Sequence, residues 1–309
     1  VKVLFVCSGN SKFGISPFIK SQGLSLKTNG VELDYFTIKG KGLKGYLSNI
    51  KLLRKCITKG DYDITHSHYS LTAFICSLAL IGIKKPQVTS LMGSDVNTKG
   101  IDKLIIKFFN IIFWKKVIVK SEDMKDKIGI KKSYVIPNGV DFAFFKPMEQ
   151  ITSKRQVNFD ASQKQVVWIS NPERYAKNFD LARKAFTLAE LKNVELKVIS
   201  GVKPETIPYY LNAADVLLLS SRWEGSPNII KEAMACNCPI VTTRVGDVEY
   251  IIGNTEGCFI VEQNEKEVAE AIKKCIEFGK RTDGREKIKH LEINTIAKKI
   301  IDVYRAVLT

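Results

Sequence analysis

Histidine, first-half arginine and long apolar runs are scarce in this sequence. Only three histidines occur, His66, His68 and His290, so imidazole chemistry has few places to sit. No stretch approaches the ~18–20 uninterrupted apolar residues of a membrane-spanning helix. The opening Val1-Lys2-Val3-Leu4-Phe5-Val6 turns polar too soon for a signal peptide and reads as a strand. The seven cysteines (Cys7, Cys56, Cys76, Cys236, Cys238, Cys258 and Cys275) show no disulfide framework. Cys236 and Cys238 have no second ligand pair for zinc. Reduced thiols and a cytoplasmic setting are expected. Residues 1–145 hold a single arginine, Arg54, and no nucleic-acid-binding motif is visible, so nucleic acid is not expected as a partner.

What is present is an ordinary soluble composition, 45% hydrophobic and 26% charged, in a chain of 309 residues, long enough for two domains. The net charge of +16 is unevenly placed. Residues 1–145 carry 23 Lys plus Arg against 10 Asp plus Glu; residues 146–309 carry 25 against 22. The excess of the first half implies an anionic partner, and a bilayer surface or lipid phosphate suits it.

Apolar strand-like runs alternate with helical segments, the pattern of parallel α/β domains. Val1–Cys7 runs into a loop containing Gly14, which lacks the Gly-x-Gly-x-x-Gly spacing of a dinucleotide site. Asp61 to Tyr69 reads as a strand ending in His66, Ser67 and His68, and ligands bind at such carboxyl ends. The two histidines share a face, but no carboxylate follows to complete a metal set. Val88–Asp95 is another strand with a glycine exit, where Asp95 suits either a hydroxyl ligand or the cap of the next helix. From Ile101 the apolar residues fall at helical spacing, fringed by Lys103, Lys107, Lys115 and Lys116. That spacing suits a core helix with its lysines in water, and it also fits a basic amphipathic surface. The turn-rich Ile136–Asp141 followed by Phe144-Phe145-Lys146-Pro147 reads as the link between domains.

The stretch with the most chemistry is Arg222-Trp223-Glu224-Gly225-Ser226-Pro227-Asn228-Ile229-Ile230-Lys231-Glu232-Ala233-Met234-Ala235. It follows the buried-strand run Val216–Leu219. Ser226 as N-cap and Pro227 as first helical residue would open a helix to about Ala235. A helix start suits a phosphate, and Glu224 and Glu232 on either side of it suit sugar hydroxyls. Upstream, Arg174 and Lys177 precede a helix after the strand Val166–Ser170.

The Glu-Gly-x-Pro-Asn … Glu-Ala-Met-Ala string resembles the donor-site signature of glycosyltransferase family 4, the retaining group 1 enzymes, and the linker and strand plan are similar along nearly the whole chain. The resemblance implies a GT-B fold: two Rossmann-like domains with parallel sheets facing across a cleft. They would be 1–145 and 146–294, with 295–309 returning to the first. It implies that Glu232 holds the ribose and Glu224 the donor sugar. Backbone N–H groups of Gly225, Ser226, Asn228 and Ile229 around Pro227, with Lys177 and Arg174, would hold the diphosphate. Gly14 would lie beside the reacting sugar, His68 would serve as a catalytic histidine, and Asp95 would sit on the acceptor side. Relatives read His-Gly-x-Asp where this chain has Met92, which removes one expected hydrogen bond. The implied activity is transfer from a nucleotide-sugar, with a lean to UDP, to a hydroxyl of a saccharide or lipid-linked saccharide in surface polysaccharide biosynthesis, with retention and a front-face mechanism. No Asp-x-Asp triplet is expected to hold a divalent ion, so no cofactor and no metal are expected. The protein would be cytoplasmic, peripheral on the inner face of the membrane. A nucleotide-sugar epimerase and a non-catalytic nucleotide-sugar-binding protein are the alternatives; a phosphorylase would need a larger chain.

Overall fold

The computed structural model describes residues 1–12, 14–96 and 100–309. Backbone contacts divide the chain into two units, Val1–Gly139 with Ile293–Thr309, and Val140–Glu292. The divide falls at Gly139 rather than at residue 145 because the intervening segment is tied to the second unit. Val140 N–H donates to Leu291 O at 3.0 Å, and Arg285 donates to the carbonyls of Phe142 and Phe145.

The first unit holds six parallel strands: β1 Lys2–Ser8, β2 Glu32–Ile38, β3 Ile64–His68, β4 Gln87–Ser90, β5 Trp114–Val119 and β6 Tyr134–Val135. Their order is β2-β1-β3-β4-β5-β6. Val3–Cys7 are wholly buried, as expected of a strand covered on both faces. The helices Pro17–Thr28 and Ile293–Leu308 pack together, with Ser25 Oγ donating to Ile293 O at 3.1 Å. The return thus begins at Ile293. Gly139 lets it pass: a Cβ there would meet Ile293 Cα at 2.7 Å.

The helix Gly100–Ile112 overturns the reading of a core helix. Only Ile106 is buried, while Ile101, Leu104, Ile105, Phe108, Ile111 and Ile112 are exposed, Ile111 by 81%. These six recur at helical spacing, so the apolar stripe faces water rather than the sheet.

The second unit repeats the plan with β7 Lys164–Ile169, β8 Val194–Ile199, β9 Val216–Leu219, β10 Ile240–Thr243 and β11 Cys258–Val261, all parallel, ordered β11-β10-β9-β7-β8. Trp168, Val166, Leu218 and Val241 form its core with Ala182 and Ile272 from flanking helices. In both sheets the second strand lies outside the first and the third lies on the other side. The winding therefore reverses between β1 and β3, and again between β7 and β9. Such reversals leave ligand crevices at the strand carboxyl ends.

Candidate functional site

Three loops at the carboxyl ends of β7, β9 and β10 are tied together. Trp168 Nε1 donates to Ser220 Oγ at 3.0 Å, and that hydroxyl lies 3.0 Å from Asn178 O and 3.1 Å from Lys177 O. Arg222 N donates to Ala176 O at 2.8 Å, and Thr243 Oγ1 to Ser221 O at 2.7 Å. Gly246, at φ +55°, approaches so closely that a Cβ would lie 2.7 Å from Gly225 O. Only glycine fits that contact without strain.

This bracing brings Lys177 and Glu224 together across the β7/β9 reversal. Lys177 Nζ lies 2.6 Å from Glu224 Oε1, which also accepts from Ser221 Oγ at 2.7 Å. The side chains are 16% and 17% exposed, so the pair is shielded yet reachable. An ionised carboxylate with one oxygen so engaged still has acceptor positions for sugar hydroxyls. Arg174 is exposed in the preceding loop. A second cation that the sequence reading missed is nearby: the Arg222 guanidinium stacks 4.4 Å over the Tyr175 ring.

The next helix is Asn228–Ala235, one residue shorter at its start than expected. Pro227 occupies the N-cap position and offers no side-chain cap, which corrects the assignment of Ser226 as N-cap. Ser226 is instead held from within: Lys231 Nζ donates to its Oγ at 2.9 Å. Lys231 is 1% exposed, and burial lowers its pKa to about 8 against the pull of Asp247 and Glu232. Sequence reading passed over it; the signal was a lysine at helical spacing from Pro227 and Met234, on the stripe that packs inward. Glu232 keeps some exposure, but desolvation raises its pKa to about 7, with Lys231 opposing.

In the first unit, Gly14 has φ +71° and open space around its Cβ position. Its N–H donates to Ser11 O at 3.0 Å. His68 is 1% exposed, stacked on His66 with ring centroids 4.3 Å apart. Its Nε2 lies 2.9 Å from Gln22 Oε1, while Nδ1 is buried without a partner among the described residues. Burial and Lys120 push its pKa down to about 3, so the ring is neutral. His66 contacts Tyr304 Oη at 2.6 Å and Ser90 Oγ at 2.9 Å. Asp95 is 1% exposed; Oδ1 accepts from Ser70 N and Oγ, at 3.0 and 2.6 Å, and Oδ2 from Met92 N. It clasps the exits of β3 and β4. Desolvation raises its pKa to about 6 despite those bonds.

Two further motifs are accounted for by packing. Contrary to the expectation of none, the chain holds an Asp-x-Asp triplet, Asp61-Tyr62-Asp63, but it precedes β3, at the end opposite the ligand loops. Asp63 accepts from Lys2 N at 2.8 Å and Asp61 pairs with Lys85 at 3.5 Å. Gly40-Lys41-Gly42-Leu43-Lys44-Gly45 has Gly-x-Gly-x-x-Gly spacing, yet a Cβ on Gly40 would lie 2.9 Å from Gly45 Cα, so these glycines serve a tight turn. Among the described residues, no three His, Cys, Asp or Glu side chains are grouped to hold a metal.

Two parallel Rossmann-like units, with a paired Lys and Glu at the reversal of the second, define the GT-B class. The chain belongs to glycosyltransferase family 4: the model of that name matches residues 20–144, and the model of glycosyl transferases group 1 matches 180–277. The UDP-Gal:alpha-D-GlcNAc-diphosphoundecaprenol alpha-1,3-galactosyltransferase of Escherichia coli is 26% identical over 269 residues, 73% of this chain and 68% of that protein. Across three curated relatives, that enzyme included, the chain spans 60 to 68% of their length. Among solved structures, sucrose-phosphate synthase from Thermosynechococcus elongatus superposes with a TM-score of 0.83 at 15% identity, covering 99% of each chain. Anabaena HepE, solved with UDP and glucose, superposes at 0.81 with 16% identity, also covering 99% of each.

Proposed function

We propose that the protein is a retaining glycosyltransferase. It moves a sugar from a nucleotide-sugar, with UDP favoured, to a hydroxyl of a saccharide or lipid-linked saccharide in surface polysaccharide biosynthesis. The observation that carries this is the Lys177–Glu224 pair at 2.6 Å, beside a helix start that no N-cap side chain closes. In a sugar diphosphate only the anomeric C–O bond separates the phosphate from the sugar ring. A cation for the first and a carboxylate for the second must therefore be neighbours.

As the anomeric C–O bond breaks, charge grows on the leaving diphosphate. Lys177, the N–H groups at the start of Asn228–Ala235 and Arg174 stabilise it without rearranging. Glu224 accepts hydrogen bonds from the sugar, and Glu232 from the ribose. The acceptor oxygen attacks from the face the diphosphate leaves, and its proton passes to a diphosphate oxygen, which balances the step and retains configuration. The reaction runs on protein cations, without a divalent metal. In the first unit, Gly14 leaves the backbone open to a ligand, and Asp95 holds the exits of β3 and β4 together.

A lipid-linked acceptor is favoured because the E. coli relative is named for one. The exposed ridge Ile101–Ile112, beside Lys103, Lys107, Lys115 and Lys116, has the make-up of a surface that lies on an anionic bilayer. No helix among the described residues is long and apolar enough to cross it.

A panel of nucleotide-sugars, read first by thermal stabilisation and then by transfer to saccharide acceptors in the presence of EDTA, tests the proposal. Stabilisation by one donor, and transfer with retained configuration, support it. Interconversion of the donor sugar without acceptor would indicate an epimerase, and binding without turnover a non-catalytic protein.

A further inference from the structure

We propose that Lys231 is a positioning residue of the donor site, holding Ser226 Oγ from inside the unit so that the hydroxyl donates to the bound diphosphate. This rests on the nucleotide-sugar reading and adds a residue that never touches the donor.

An ammonium group donates hydrogen bonds and accepts none. At 2.9 Å from Lys231 Nζ, Ser226 Oγ must therefore act as acceptor, and its own proton is directed to another partner. Ser226 is partly exposed and lies two residues before the helix Asn228–Ala235, where an anion is favoured by the helix dipole. A buried cation behind that hydroxyl strengthens it as a donor without occupying ligand space.

The surroundings of Lys231 are defined. Asp247, in the loop after β10, and Glu232, on its own helix, are the charges that act on it. The helices Val248–Ile252, Gly284–Lys287 and Ile207–Ala213 pack against its helix. Arg285 of the second is engaged by the carbonyls of Phe142, Phe145 and Ala235, and the third carries no charged residue. Burial at 1% exposure would favour an apolar side chain, so packing alone does not call for a lysine here. Because its pKa is about 8, mild alkali removes the charge. The neutral amine then accepts from Ser226, turning the hydroxyl proton inward.

The test uses the full chain. Calorimetry measures UDP and uridine affinity between pH 7 and 9.5 for the wild type, Lys231→Met, Lys231→Arg, Ser226→Ala and the Ser226→Ala/Lys231→Met double variant, with folding checked by circular dichroism. Wild-type affinity for UDP should fall about tenfold across a midpoint near pH 8. Lys231→Met should lose about tenfold at pH 7 and show no alkaline fall. Ser226→Ala should match it, the double variant should lose no more, and uridine should bind all folded variants alike. Lys231→Arg should keep UDP affinity and abolish the alkaline fall, because arginine does not titrate there. UDP binding by Lys231→Met with wild-type strength and profile overturns the proposal, as does full additivity in the double variant. If Lys231→Met does not fold, an alkaline fall in Lys231→Arg equal to that of the wild type overturns it. A wild type that binds no nucleotide or nucleotide-sugar removes the donor reading itself, a result distinct from the loss of Lys231's role alone.

Discussion

Lys177 and Glu224 are 47 residues apart in the chain and 2.6 Å apart in space, on opposite sides of the reversal between β7 and β9. Each would be an unremarkable surface residue if the loops after those strands were not braced through Ser220. The pair is the centre of the proposed chemistry, and the first prediction concerns it. Lys177→Met should reduce kcat/KM for transfer by about 10²–10³, the scale for losing one preorganised electrostatic contact. Its effect on stability should be small, about 1 kcal/mol, because neither side chain is fully buried. Steady-state kinetics alongside urea unfolding measure both. A variant with wild-type kcat/KM would remove Lys177 from the leaving-group role.

Glu232 predicts a pH dependence of donor binding. Its pKa in the folded protein, about 7, lies above the usual carboxylate value. Its contribution to stability is thus present at acid pH and lost as pH rises through about 7. Ribose hydroxyls donate to the ionised form, so donor affinity should move the opposite way, increasing about fivefold from pH 6 to pH 7, below the alkaline fall assigned to Lys231. Calorimetry with a nucleotide-sugar, whose diphosphate does not titrate in this range, should show this for the wild type. Glu232→Gln should give a flat profile between pH 6 and pH 7 at lower affinity; the same slope in that variant would assign the titration elsewhere.

Asp95 predicts a separation of stability from nucleotide binding. Asp95→Asn turns an amide N–H₂ towards either Met92 N–H or the Ser70 donors, leaving a buried donor unmatched. A loss of about 1–3 kcal/mol is expected. Nucleotide affinity should not change, since Asp95 belongs to the other unit. Chemical denaturation and nucleotide titration of the same preparation decide it, and an unchanged unfolding midpoint would contradict the clasp.

The exposed ridge predicts two separable contributions to membrane binding. Phe108→Asp and Ile111→Asp should each weaken binding to anionic vesicles more than tenfold, in line with about 1.5–3 kcal/mol for burying such a side chain. Changing Lys103, Lys107, Lys115 and Lys116 to glutamine should weaken it chiefly at low salt. Vesicle sedimentation reads both. Equal binding by all variants would take this helix out of the contact.

Much of the plan was legible because parallel α/β chains write their buried strands as short apolar runs. Val216–Leu219 is where the residues put it. The helix from Ile101 reads from sequence as either core or surface for a physical reason: spacing shows that a stripe exists but not which side the sheet covers. Ser226 was misassigned because an N-cap preference is local, whereas a lysine five residues on takes the hydroxyl. The short β11, Cys258–Val261, left too little pattern to be seen. The neutral, enclosed state of His68 follows from Gln22, Phe5 and Lys120, none of them near it in sequence.

The Tyr304–His66 contact has a consequence for how the chain is made. Ile296, Ile300, Val303 and Tyr304 fill the first unit from a segment that follows the second unit in the chain. During synthesis, then, the earliest strands wait with an unfilled face, and an uncapped His66, until all of the second unit has emerged. The unit begun first is thus the one completed last.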